Sequence, residues 1–521
     1  MILISSGAYV EQDLSYEVGR IPPSFLPLGN KRLYEHQVSF LSTLAQDIYI
    51  SLPESFEIPI FDKLKLEQLN VNVIHVPDNL SLGDSVMFSW TAAGLPLESL
   101  TILHGDTLFI DFLLSGCDFI SVHKNVGSYR RGIVAFGSKK HFSSDFVSGK
   151  ELVISGVFSF LHPHKLMQGI LKSKGDFIEG VEYYAAIYSL EERHDGLWLD
   201  FGHLHSFFRS RSLMTTQRAF NNLKIEPRTV TKSSNNASKI AAESNWFSNI
   251  PDSLRLHTPA LISKYCITDD TPSYTTEYLY NLPLSDLLVY GDLSNSAWHS
   301  ILSVAKEVSF DFSKYNKIDI DVDSLNLLYL EKTLQRVNDI KSTDFQYALH
   351  EFETQEGITL YDIALITSRF IRRPEPSDVG VVHGDFCFSN ILYDSRTHGL
   401  KLLDPRGLNS KGENCIYGDI RYDIAKLYHS VVGCYDYIIA SRYKIEDDNC
   451  LNFYDNKLSV LENYFDEIFF FSKDFNKIEI LAINVHLFIS MLPLHYDRPD
   501  RQKAMLLNSY RLYKKLMELA L

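Results

Sequence analysis

The tightest constraint on this chain lies at residues 381–407, VVHGDFCFSNILYDSRTHGLKLLDPRG. An apolar pair leads into His383-Gly384-Asp385, and Asn390 stands five residues after Asp385. Two short apolar runs follow, Asn390-Ile-Leu-Tyr and Leu400-Lys-Leu-Leu, joined by a polar turn, which predicts a hairpin. The second run ends at Asp404-Pro-Arg-Gly407. A polar loop, a hairpin and a second acidic residue at a strand end must therefore lie side by side.

The rest of the chain has to supply a scaffold for that segment. Its 521 residues exceed what one core usually supports, and ~150 residues per domain gives two to four domains. With 50 Lys and Arg against 65 Asp and Glu, the net charge is −15. Such a chain is a poor partner for nucleic acid or an anionic membrane surface. No apolar run reaches the ~18 residues of a membrane span, and the start MILISSGAYVEQD lacks the basic region of a signal peptide. Six cysteines occur without a CxxC pair, which disfavours a zinc ribbon or a thioredoxin-like site and points to a reducing, cytoplasmic setting.

The texture changes near residues 212–240. The polar stretch from Arg228 to Lys239, rich in Ser and Asn, reads as a short strand followed by a loop, and a domain junction is expected there. The expected domains are residues 1–225 and 226–521. In the first, MILISS, VNVIHV, LTILHG and ELVISGVFSF read as buried strands, and RLYEHQVSFLSTLA has apolar residues at helical spacing. This alternation predicts an α/β layer with a largely parallel, doubly wound sheet. The second begins with strand-like text (TVTKSS, YTTEYLY) and turns helical, as in DIRYDIAKLYHSVVG and QKAMLLNSYRLYKKLMELAL.

The residue types at 383–407 suit phosphoryl transfer. One carboxylate must orient an attacking hydroxyl and accept its proton; Asp385 fits that catalytic role. A second carboxylate and an amide oxygen must hold Mg²⁺ against a triphosphate; Asn390 and Asp404 fit. The pattern HGDxxxxN, a hairpin and DxxG resembles the catalytic core of the aminoglycoside phosphotransferase and choline kinase family, a branch of the protein-kinase-like fold. That resemblance implies an α+β domain with a largely helical C-lobe, using ATP and Mg²⁺. It also implies an N-lobe lysine paired with a helix glutamate. Lys232 in TVTKSS takes the lysine place, with Lys239 its rival, and Glu243 in KIAAESNWF takes the glutamate place. Tyr274–Tyr280 resembles the hinge segment that carries adenine, with Glu277 and Leu279 supplying the backbone. No Gly-rich loop precedes Lys232: either the loop is shortened or the nucleotide is covered differently. Asp419 resembles the acidic residue that braces the catalytic loop, and His495 lies where the family builds its acceptor pocket.

The stretch Pro22–Gln37 resembles the early signature of sugar-phosphate nucleotidyltransferases. Leu103–Phe109 and Gly196–Gly202 resemble two later strand ends of that family. The resemblance implies a Rossmann-like sheet in which Asp106 and Asp200 hold Mg²⁺ over the α-phosphate of a second nucleoside triphosphate. It also implies that Ser5, Ser6 and Gly7 offer backbone N–H groups to the phosphates, with Arg20 nearby. Pro23 stands where the family has a phosphate-binding lysine, and Lys31 or Arg32 are the candidate substitutes.

Three readings follow. In the first, the chain is bifunctional. It phosphorylates a sugar, polyol or amino alcohol and couples the product to a nucleotide, as in activated-sugar synthesis for surface polysaccharide. In the second, it is a kinase whose N-terminal domain only binds. In the third, it is a scaffold of two degenerate folds, against which the retained Asp385, Asn390 and Asp404 count. The sequence names neither the acceptor nor the oligomeric state.

Overall fold

The computed structural model describes residues 1–114, 116–124, 133–135, 141–143, 152–214, 222–268, 271–315, 321–341, 343–446 and 449–521. It divides into two units, Met1–Met214 with Tyr290–Asp292, and Thr215–Val289 with Leu293–Leu521. The division falls earlier than residue 225 because Asn222–Ile225 forms an antiparallel pair with Thr229–Ser233 and so belongs to the second unit's sheet.

Four strands at the centre of the first unit run parallel, in the order Leu100–His104, Ile2–Ser5, Ile48–Pro53, Val71–Val76. The long strand Leu152–Phe160 adds antiparallel to Leu100–His104, and further short strands extend that edge. The sheet is thus Rossmann-like at its centre and mixed at one side. Leu3, Ile102, Ile120 and Phe158 are fully buried in its apolar core, which explains why these runs read as continuous apolar text. The predicted helix is Leu33–Leu41. Crossover connections place the loops that follow Ser5 and His104 at the same end of the parallel strands, the end at which such sheets bind ligands.

The second unit begins with a four-stranded antiparallel sheet in the order Asn222–Ile225, Thr229–Ser233, Thr271–Glu277, Leu261–Thr268. The helix Ala237–Asn249 packs on it. Helices dominate the remainder. The expected hairpin is Ile391–Asp394 with Gly399–Leu402, and the strand Val379–Val381 delivers His383 by pairing with Tyr417–Asp419. The helix Ile420–Val431 follows directly. Lys477–Met491 is buried continuously from Glu479 to Met491, as an all-round apolar core helix must be. The segment Lys477–His495 is long and apolar enough to cross a bilayer, but 78% of it is buried inside the fold. Polar residues interrupt its apolar run and find partners there, although the Asn484 side-chain oxygen is left without one. The Asn484 amide donates to the Ala425 carbonyl at 2.9 Å, and the His486 ring lies between the hydroxyls of Thr333 and Thr367. All six cysteines are free thiols.

Candidate functional site

In the strand Thr229–Ser233 only Lys232 is buried, and it pairs across the sheet with Tyr274. The buried face of Ala237–Asn249 contributes Glu243. Lys232 Nζ lies 2.7 Å from Glu243 Oε2 and 3.0 Å from Asp404 Oδ1, and the Tyr274 hydroxyl donates to Glu243 at 2.8 Å. Burial works to lower the Lys232 pKa, but Asp404 and Glu243 outweigh it and raise it, so the ammonium stays charged. Burial pushes the Glu243 carboxyl up, against the pull of Lys232. The rival Lys239 is nearly half exposed and 3.9 Å from Glu243, so the geometry favours Lys232. Gly407 closes this arrangement. A Cβ there would lie 2.2 Å from the Ala242 carbonyl oxygen, so only glycine lets the Asp404–Gly407 turn meet the backbone of the Glu243 helix.

Backbone bonds tie the acidic turn to the loop before the hairpin. Leu403 N–H donates to the Asn390 carbonyl at 2.8 Å, and Arg406 N–H donates to the His383 carbonyl at 2.8 Å. Asn390 Nδ2 donates to Asp385 Oδ2 at 2.9 Å and to the Asp385 carbonyl at 3.0 Å, which fixes the carboxylate and the amide as a pair. Asp385, Asn390 and Asp404 therefore stand on adjoining segments. Asp404 holds φ at +56°, a region that costs a residue with a side chain and that persists where surrounding structure enforces it.

Two residues that sequence reasoning missed complete the loop. Lys426, on Ile420–Val431, places Nζ 2.9 Å from Asp385 Oδ1. Burial acts to raise the Asp385 carboxyl, but Lys426 holds it well below the usual carboxylate range. Asp423, on the same helix, accepts the backbone N–H of His383 at 2.6 Å and of Gly384 at 2.8 Å. This corrects the sequence expectation: the brace is Asp423, not Asp419. Asp419 instead takes the Arg421 guanidinium and the Tyr329 hydroxyl. Both aspartates flank one helix start, and only the loop's position tells them apart. Burial raises the Asp423 carboxyl to about 7 and lowers the His383 imidazole to about 4, leaving the histidine neutral and packed at the edge of Trp246. His495 ends the short turn Leu492–His495, its pKa lowered by burial to about 4.

The predicted hinge, Tyr274–Tyr280, takes in the second half of the strand Thr271–Glu277 and the residues after it. Glu277 N–H is taken by the Ala260 carbonyl at 2.8 Å, and Tyr278 N–H by that of Arg228 at 2.9 Å. Leu279 lies outside the strand, half-buried. Where a Gly-rich loop was sought, Glu226 and Thr229 close a tight turn over Pro227-Arg228. Among the described residues no three His, Cys, Asp or Glu side chains form a metal-holding group. An amide oxygen and one carboxylate, Asn390 and Asp404, match what Mg²⁺ takes from protein when phosphates and water fill its remaining positions.

In the first unit the turn Gly105-Asp106 joins Leu100–His104 to Thr107–Ile110. The Gln37 amide, donating to the carbonyls of Gly105 and Thr107 at 3.0 and 2.8 Å, clamps it; this too was missed in the sequence. Asp200 pairs in register with Thr107. A Cβ on Gly202 would lie 2.3 Å from Asp106 Oδ2 and 3.4 Å from Asp200 Oδ1, so both expected metal ligands converge on one point. The phosphate loop differs from expectation. Ser6 N–H is consumed by Ser51 Oγ at 3.0 Å, and the Ser6 hydroxyl accepts Ser24 N–H at 3.1 Å, so Ser6 cannot offer its N–H to phosphate. Ser5 lies in the strand, with its carbonyl taken by Gly105 N–H at 2.7 Å. Gly7 packs closely: a Cβ there would meet Val76 at 2.5 Å. Arg20 is exposed, its guanidinium 3.9 Å from the Tyr9 ring centroid. Arg32 does not replace the missing lysine, because it is buried against Asp62 at 3.0 Å; Lys31 is exposed. A cavity of about 430 Å³ beside Asp200 is lined by Lys124, Arg209, His123, His194 and Trp198.

No family model matches the chain, and no curated protein matches it. Solved structures are similar to it. A nucleoside-diphosphate-sugar pyrophosphorylase from Vibrio cholerae is 14% identical, covers 40% of this chain and 99% of its own, and gives a TM-score of 0.32. The inositol-1-phosphate CTP transferase of T. maritima is 14% identical, covers 42% and 97%, and scores 0.32. The GDP complex of an aminoglycoside 2'-phosphotransferase is 11% identical, covers 59% and 92%, and scores 0.35.

Proposed function

We propose that the chain catalyses two transfers of phosphorus-containing groups. The second unit moves the γ-phosphoryl of ATP to a hydroxyl of a small molecule. The first couples the phosphorylated product to a second nucleoside triphosphate with release of pyrophosphate. Together these are consecutive steps of activated-sugar or activated-alcohol synthesis of the kind that supplies surface polysaccharide, a cytoplasmic role. The observation that carries the reading is the bridge from Lys232 to both Glu243 and Asp404.

In the second unit the acceptor oxygen attacks the γ-phosphorus, the bond to the β,γ-bridging oxygen breaks, ADP leaves, and the hydroxyl proton passes to Asp385. Lys232, oriented by Glu243, grips the phosphates. Asn390 and Asp404 would hold Mg²⁺, which supplies charge neutralisation on the triphosphate. The hinge backbone at Leu279 receives the base, the Glu277 and Tyr278 N–H groups being taken by the Ala260 and Arg228 carbonyls. In the first unit, Asp106 and Asp200 would hold Mg²⁺, while Lys124 and Arg209, lining the cavity, provide cations that Pro23 cannot.

The alternative, a kinase with a binding-only first unit, is favoured by the loss of the Ser6 N–H to Ser51 and of Arg32 to Asp62. Pyrophosphate release with sugar 1-phosphates and a panel of triphosphates decides between the two. ADP release across sugars, polyols and amino alcohols tests the kinase. Asp385→Ala is expected to cut ADP release by about 10²–10⁴-fold and to spare pyrophosphate release. Survival of ADP release in that variant sinks the assignment.

A further inference from the structure

Cations gather around Tyr422 and the loop of Asp385. Lys426 is bound to Asp385 itself. Lys332 Nζ lies 3.3 Å from the Tyr422 hydroxyl and 5.6 Å from its ring centroid. Arg406 folds over Gly384: a Cβ on that glycine would meet Arg406 Cβ at 2.7 Å and Cδ at 3.3 Å. Tyr422 is nearly buried among these groups. Burial works to raise its pKa, yet Lys332, Lys426 and Arg406 together lower it to about 8. The carboxylates that face the group are already engaged: Asp385 by Lys426 and Asn390, Asp423 by the His383 and Gly384 N–H groups. Among the described ion pairs, neither Lys332 nor Arg406 is neutralised by a carboxylate. A cluster with this balance repels an ammonium and attracts an anion.

We infer that the phosphoryl acceptor is an alcohol that already bears an anionic group, a carboxylate or a phosphate, seated against Lys332 and Arg406 beside Asp385. This rests on the kinase reading above and narrows it, excluding the amino alcohols and aminoglycosides that a resemblance alone admits. The anion fixes which hydroxyl faces Asp385, and the reaction is otherwise the transfer already balanced.

The test measures ADP release by the full chain with Mg·ATP and four acceptor sets: hydroxy and uronic acids, sugar phosphates, neutral sugars and polyols, and amines including choline and an aminoglycoside. The expected result is a kcat/KM for one anionic set about 10–100-fold above the neutral set, with the amines lowest. The acid and phosphate arms identify which anion is used. Lys332→Ala, at a half-exposed site, is expected to raise the acceptor KM by about 10-fold without a matching rise in the KM for ATP, and Lys332→Arg to restore it. A preference for neutral or amine acceptors, or a Lys332→Ala effect confined to ATP, overturns the inference while the kinase stands. Failure of Mg·ATP to raise the melting temperature, with no ADP from any acceptor, overturns the kinase reading and this inference with it.

Discussion

Lys232 Nζ and Glu243 Oε2 meet at 2.7 Å, with both side chains almost wholly shielded from water. A buried ion pair of this kind is weak evidence of stability, but breaking it from one side is costly. Lys232→Met strands Glu243 beside Asp404. It should lower unfolding free energy by about 3–5 kcal/mol and abolish ADP release. Denaturant melts and a coupled ADP assay check both. A variant of unchanged stability and rate would show that the pair matters to neither.

The first unit can be disabled with one methyl group. Gly202→Ala puts a carbon 2.3 Å from Asp106 Oδ2 and must displace that carboxylate from its place beside Asp200. Pyrophosphate release should fall by about 10²-fold or more, with ADP release retained. Equal loss of both activities would mean general misfolding.

Lys426 holds the Asp385 carboxyl ionised below the usual range, against burial. In Lys426→Met that support is gone while burial remains, so the Asp385 pKa must rise. The acid limb of the kcat/KM profile for ADP release should shift to higher pH in the variant. An unmoved limb would show that another group governs it.

Asp423 gives a linkage effect of defined sign. Its folded pKa, about 7, is raised by burial above the ordinary value of 3.8. Stability from such a group is fully present below the unfolded value and is lost as pH rises through the folded one. Relative to Asp423→Asn, the natural chain should lose about 1.4 kcal/mol per pH unit between roughly pH 4 and 7, and nothing further above that. Thermal melts of both proteins across this range provide the comparison. A natural chain that held or gained stability relative to the variant as pH rose from 4 to 7 would contradict the assignment.

Local spacing made the elements legible. The strands at MILISS, VNVIHV, LTILHG and ELVISGVFSF, the hairpin after Asn390 and the long C-terminal helices all declare themselves within a few residues. The same holds for Asp385, Asn390 and Asp404, whose loop and turn are built from neighbours in the chain. What sequence could not show depends on side chains brought together from far apart. Lys426 looks like any helix lysine until the fold sets it on Asp385. Asp419 and Asp423 flank one helix start and exchange roles according to where the loop lands. Ser6 has the right identity for a phosphate loop, but its N–H is spent on Ser51, a strand partner invisible in the loop's own text. Gln37 likewise gives no hint that three turn carbonyls await its amide.

Gly407 bears on how the site is assembled. The turn that carries Asp404 rests directly on the peptide of Ala242, so a side chain at residue 407 would push the helix bearing Glu243 off that turn. Lys232 and its partners are already assembled in the chain on its own. The lysine, the glutamate and the turn aspartate thus meet without any second molecule to gather them.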